Sequence, residues 1–167
     1  MSDQPLPDAE QLLAALIAQM RPHVAADTGL IGIVTGGAWI AERLHAALGL
    51  KVPCGTLDVS FYRDDFQHKG LKRVVAPSDI PFEVEGRHLI LVDDVLYTGR
   101  TIRAAMNELF DYGRPASIRL ASLVDRGGRE LPVAAQFTGA VIDVPATQSV
   151  ELKRDAQGKL SLVLSKD

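Results

Sequence analysis

Asp93 and Asp94 stand at the end of an apolar run, Leu89-Ile90-Leu91-Val92, and are followed by Val95-Leu96-Tyr97-Thr98-Gly99-Arg100-Thr101. Four apolar residues bury a strand and deliver two carboxylates to its end. A short turn then opens a helix. Free backbone N–H groups at a helix N-terminus attract anions, and the helix dipole adds to the attraction. Gly99 lets the main chain approach a phosphate closely. Thr98 and Thr101 add hydroxyl donors, so Thr98 reads as a phosphate donor and not as a core contact. Carboxylates for a sugar diol beside a phosphate cradle match a ribose 5-phosphate. The plainer alternative is a strand end whose aspartates cap the next helix. The full pattern from Leu89 to Thr101 outweighs it.

A second glycine-bearing turn, Thr35-Gly36-Gly37, lies between an apolar run at Leu30–Val34 and a helical pattern at Ala38–Leu48 that Gly49 ends. It is either a second anion loop or a plain turn.

The elements that must position these groups follow from periodicity. Leu12, Leu13, Leu16, Ile17 and Met20 recur at helical spacing within Asp8–Met20. Leu57, Val59 and Phe61 alternate as a strand. Residues Tyr62–Phe82 show no clear period and hold two prolines. A long stretch of that kind in a small domain is usually a binding loop or lid. Within Tyr62–Ser78, Arg63, Lys69, Lys72 and Arg73 suit a cationic lid over an anion, against the alternative of a solvated loop. Thr101–Tyr112 reads as a helix with Ile102, Ala105, Met106, Leu109 and Phe110 on its inner face and Gly113 as its stop. Ile118–Val124 is a strand. Val150–Leu152 and Leu160–Leu164 read as a hairpin around Asp155-Ala156-Gln157-Gly158. Trp39 falls on the core side of its helix.

Strands alternating with helices give an α/β fold, a mostly parallel sheet covered on both faces. The 167 residues fit one domain, residues 1–167. A net charge of −3 gives no global pull toward nucleic acid or membrane. Cys54 is the sole cysteine, so no internal disulfide forms, which suits a cytoplasmic setting. No signal peptide and no apolar run of membrane length is expected. The four histidines show no metal spacing and read as surface or structural residues.

The segment Leu89–Thr101 closely resembles the 5-phosphoribosyl 1-pyrophosphate (PRPP) signature of type I phosphoribosyltransferases. Further blocks in order, Leu57–Asp65, Asp94–Thr101, Gly113–Ser117 and Leu123–Pro132, resemble the PyrR family of pyrimidine operon regulators with uracil phosphoribosyltransferase activity. The likeness runs over about residues 28–145. It implies the type I fold with a small hood and a flexible loop, a magnesium cofactor held mainly by PRPP with no metal site of the protein's own, and a homodimer or higher homo-oligomer. It implies PRPP, uracil, UMP and pyrophosphate as ligands, and operon leader RNA as a partner. By the same resemblance Asp93 and Asp94 bind the ribose hydroxyls, Val95–Thr101 wrap the 5-phosphate, and Thr35, Gly36 and Gly37 hold pyrophosphate. Asp125 and Arg126 lie beside base and pyrophosphate, with uracil read mainly by backbone groups. Asp93, Asp94 and Arg63 carry the catalytic work.

The chain also departs from the family pattern. Gly36 replaces a basic residue, so pyrophosphate is expected to be held less tightly. Gly128 replaces a common histidine. Arg129-Glu130 is either part of the site or a surface ion pair. The helix Asp8–Met20 carries no lysine or arginine, and Asp143–Glu151 carries none. Arg114, Arg119, Arg126 and Arg129 are expected to be partly committed to the active-site side. Weak leader-RNA binding, if any, is therefore expected.

Overall fold

In the computed structural model, residues 5–59 and 78–166 are described. Strands β1 (Gly29–Ile33), β2 (Gly55–Leu57), β3 (His88–Leu96), β4 (Ser117–Asp125) and β5 (Phe137–Val141) form one sheet in the order β2-β1-β3-β4-β5. Every pairing in it is parallel. Period-2 alternation sorts the side chains. Leu30, Ile90, Val92 and Leu123 face one core with helices α1 (Ala9–Met20) and α2 (Gly36–Leu48). Ile31, Ile33, Leu89 and Leu91 face the other, with α3 (Arg100–Phe110). Continuous apolar strands are the mark of a sheet buried on both faces.

Strands β6 (Gln148–Arg154) and β7 (Leu160–Lys166) pair antiparallel as a separate two-stranded sheet, the small accessory piece beside the main one. It is tied to the helices by Glu10. That carboxylate takes Arg43 Nη2 at 2.6 Å and the Leu160 N–H at 2.9 Å, so one side chain joins α1, α2 and β7. The Arg43 hydrogen bond, then that of Leu160, holds the Glu10 carboxyl below its usual range. At the other end of α1's first turn, the Asp8 side chain accepts the N–H groups of Glu10 and Gln11.

Several elements differ from their sequence expectation. β2 ends at Leu57, and Val59 is buried without belonging to it; Phe61 lies outside the described residues. α2 starts at Gly36, inside the glycine turn. β3 continues through both aspartates because β4 pairs with it as far as Leu96 opposite Asp125. α3 ends at Phe110, which is 58% exposed and not on the inner face. Its cap is Asp111, ahead of Gly113. Trp39 is partly buried against the core, with the Arg154 guanidinium 4.6 Å above its ring. β5 had no sequence expectation. At the edge of β2, Thr56 and Asp79 exchange two backbone hydrogen bonds of 2.8 and 2.9 Å. No described helix is long and apolar enough to cross a membrane.

Candidate functional site

The strand order reverses direction between β1 and β3: the chain leaves β1 toward β2 and returns on β1's other side. A crevice opens at such a switch point, beyond the C-terminal strand ends. The two glycine-bearing turns are the two loops that leave β1 and β3, so the topology sets them side by side.

Their contact is tight. A methyl group at Gly36 would strike the Asp94 carboxylate, with Cγ at 2.8 Å. One at Gly37 would strike the Val92 carbonyl oxygen and stand 3.1 Å from Asp93 Cα. Gly36 therefore does more than omit a cation. Its missing side chain is the space in which the Asp94 carboxylate lies. The Val34–Thr35 peptide is cis, and Thr35 caps α2 without a side-chain hydrogen bond.

The two aspartates differ in setting. Asp93 is 3% exposed and its Oδ1 accepts the Asp94 N–H at 2.9 Å. Asp94 is half-buried; its Oδ1 accepts the Val95 N–H at 2.8 Å, and Oδ2 is the oxygen nearest Gly36. Two oxygen donors of this kind suit sugar hydroxyls or a hard divalent cation.

Beyond them the chain turns into α3. Gly99 sits at φ 95°, a left-handed conformation, with its α-hydrogen side close to Val133. Thr98, expected as a phosphate donor, also has a structural contact. It is 6% exposed, and its Oγ1 accepts the Arg100 N–H at 3.2 Å, so it also builds the helix start. Thr98→Ala is accordingly expected to lower ligand-free stability by ~1 kcal/mol, the usual net worth of one intramolecular hydrogen bond, as well as to weaken phosphate-ester binding. Thermal melting with and without UMP checks both. An unchanged ligand-free melt would show that the Thr98–Arg100 bond does not stabilise the helix start.

The remaining candidates divide. The Val95 and Leu96 main chains pair with β4, and Thr101 lies half-buried in the first turn of α3. The Arg100 side chain turns outward to Glu130 at 2.8 Å. Arg126 is 7% exposed, and its guanidinium donates to the carbonyls of Gln148 (2.9 Å), Pro145 (3.1 Å) and Val144 (3.4 Å) while lying 4.0 Å from the Tyr97 ring centre. Its side chain is thus a strut for the chain leading into β6, and its N–H donates to the Leu96 carbonyl at 3.1 Å. The Asp125 carboxylate accepts the Gly127 N–H at 2.9 Å and pairs with Arg129 at 2.6 Å. Arg129 and Glu130 do not pair with each other; they reach back separately to Asp125 and Arg100. At Gly128, φ 75°, a methyl group would run into the Tyr97 ring. Arg114 and Arg119 precede or begin β4, at the end of the sheet opposite the site, which corrects their expected placement. Arg119 donates to the His23 carbonyl at 3.0 Å and lies 5.4 Å from the Phe137 ring. Arg63 and the other cations of the expected lid, Lys69, Lys72 and Arg73, lie outside the described residues.

Comparison with known proteins agrees with this arrangement. The phosphoribosyl transferase domain family matches residues 4–153. The chain is 50% identical over 161 residues to a bifunctional protein PyrR of Pseudomonas fluorescens, covering 94% of this chain and 96% of that one. It is 52% identical over 151 residues to its Pseudomonas entomophila counterpart, with 88% of each chain covered. Among solved structures, a Leishmania tarentolae HGPRT-ase in complex with GMP superposes with a TM-score of 0.64 at 23% identity, covering 86% and 84% of the chains. A Bacillus anthracis hypoxanthine-guanine phosphoribosyltransferase does so at 0.66 and 19%, covering 85% of each. The structural likenesses speak for the fold.

Proposed function

The chain belongs to the phosphoribosyl transferase domain family and, within it, to the PyrR family, and from that membership we propose that it transfers the phosphoribosyl group of PRPP to uracil, giving UMP and pyrophosphate. The observation that carries the reading is the junction of the two loops: a glycine pair packed against Asp93 and Asp94, followed by the turn that starts α3.

Uracil attacks C1 of PRPP as pyrophosphate leaves. Positive charge develops on the ribose. The Asp94 carboxylate, poised between the loops, opposes that charge electrostatically in a partly desolvated setting. The amides of the Thr98–Thr101 turn and the α3 dipole hold the 5-phosphate. Gly36 and Gly37 bring main-chain N–H groups to pyrophosphate. Asp125 and the backbone of Arg126 border the base. Magnesium, held mainly by PRPP, would supply charge neutralisation of the leaving group, and Asp93 and Asp94 are the carboxylates of this chain that could contribute oxygen donors to it. Formation of UMP from uracil and PRPP, run beside hypoxanthine as the competing base, tests the reading. Turnover of hypoxanthine but not uracil would refute the base assignment.

The regulatory half of the reading concerns leader RNA. RNA affinity rests on cations that displace counterions from phosphates. Here Arg43 is paired with Glu10, Arg100 with Glu130, Arg129 with Asp125 and Lys153 with Glu151. Arg119 and Arg126 are engaged with main-chain carbonyls. A filter-binding titration with a pyrimidine-operon leader and UMP near physiological salt should therefore give a Kd near the nonspecific range of ~10⁻⁴–10⁻⁶ M. Nanomolar binding would overturn this.

A further inference from the structure

Three successive carbonyls of the phosphate turn are held from behind by one short segment. The Leu96 carbonyl accepts the Arg126 N–H at 3.1 Å. The Tyr97 carbonyl accepts Arg129 Nη1 at 2.7 Å. The Thr98 carbonyl accepts the N–H groups of Glu130 at 2.9 Å and Leu131 at 3.2 Å. In a planar trans peptide the C=O and the following N–H point in opposite directions. Fixing these carbonyls on the 126–131 side therefore fixes the N–H directions of Tyr97, Thr98 and Gly99 toward the other side.

Only the middle contact of the three comes from a side chain. Arg129 spreads its guanidinium over four acceptors. Beside Tyr97 these are Asp125 Oδ2 at 2.6 Å, the Val133 carbonyl at 2.8 Å and the Gly127 carbonyl at 3.4 Å. It thus ties the turn after β3 to the loop after β4. A lysine carries the same charge but has no planar fork to span these acceptors together.

We infer that Arg129 is a positioning residue: it sets the phosphate turn's amides in their anion-binding orientation by holding the Tyr97 carbonyl, and does not itself touch the anion. The inference rests on the proposed PRPP and UMP site and goes beyond it by assigning the device that aligns the turn. In the absence of ligand, Arg129→Gln should accelerate amide hydrogen exchange across residues 97–101. It should weaken UMP binding by ~10-fold or more, as misplacement of a pre-aligned site does. Pyrophosphate, which the reading places at the Thr35–Gly37 loop, should bind as in the parent within about twofold. Arg129→Lys should give the same pattern, and serves if the glutamine variant does not fold.

Weakened pyrophosphate with unchanged UMP would overturn the inference, because it would make Arg129 a direct anion contact. Unchanged exchange across residues 97–101 would overturn it as well. Failure of the parent protein to bind UMP would strike the underlying site assignment, whereas the exchange measurement reads the positioning role without any ligand.

Discussion

Asp94→Asn is expected to lower UMP formation by about 10²–10³-fold, the usual loss when one preorganised charge is removed from a transition state. The substitution is chosen over one at Asp93 for a structural reason. Asp93 is 3% exposed and receives the Asp94 N–H, so its loss would disturb the strand end itself. Among the described residues, Asp94 accepts its neighbour's amide through Oδ1, and the asparagine oxygen keeps that bond. What the amide removes is the negative charge at Oδ2, beside Gly36. The melting temperature should stay near that of the parent. A purified variant that keeps more than about half the parent activity would show that Asp94 does not act on the developing charge.

Gly37→Ala is expected to cost roughly 3 kcal/mol of stability, the upper end for an overpacked site. The added methyl would meet the Val92 carbonyl oxygen and Asp93 Cα, both main chain of the central strand. Neither can swing aside, so α2 and β3 must separate. At this size that corresponds to a melting temperature lower by roughly 6–12 °C. Gly36→Ala makes the informative contrast, because its methyl meets the movable Asp94 side chain. It should melt close to the parent and lose activity. A Gly37→Ala melt within about 2 °C of the parent would contradict the packing argument.

The sequence makes the site more legible than the frame around it. Leu89–Val92 and the carboxylate pair identify themselves by type and order. The continuation of β3 to Leu96 does not, because aspartates in a strand are justified only by the partner strand that pairs there. β5 escapes for a related reason. It offers one fully buried residue, Phe137, and a glycine at its centre, so no alternation marks it. Phe110 shows the opposite error. Its apolar character and helical spacing suggest burial, but α3 ends there and the ring is left largely exposed. For Arg126 and Arg129 the sequence announces cations near an anion site. It does not say that main-chain carbonyls elsewhere in the fold will claim their guanidinium groups.

The hydrogen-bonded pair of Thr56 and Asp79 bears on how such a chain can change over generations. It ties the chain ahead of β3 to the outer edge of β2 at one fixed point. Because both bonds use main-chain atoms alone, changes of side chain at Thr56 and Asp79 are cheap to accumulate, within a protein whose glycine pair and aspartates leave almost no room for substitution.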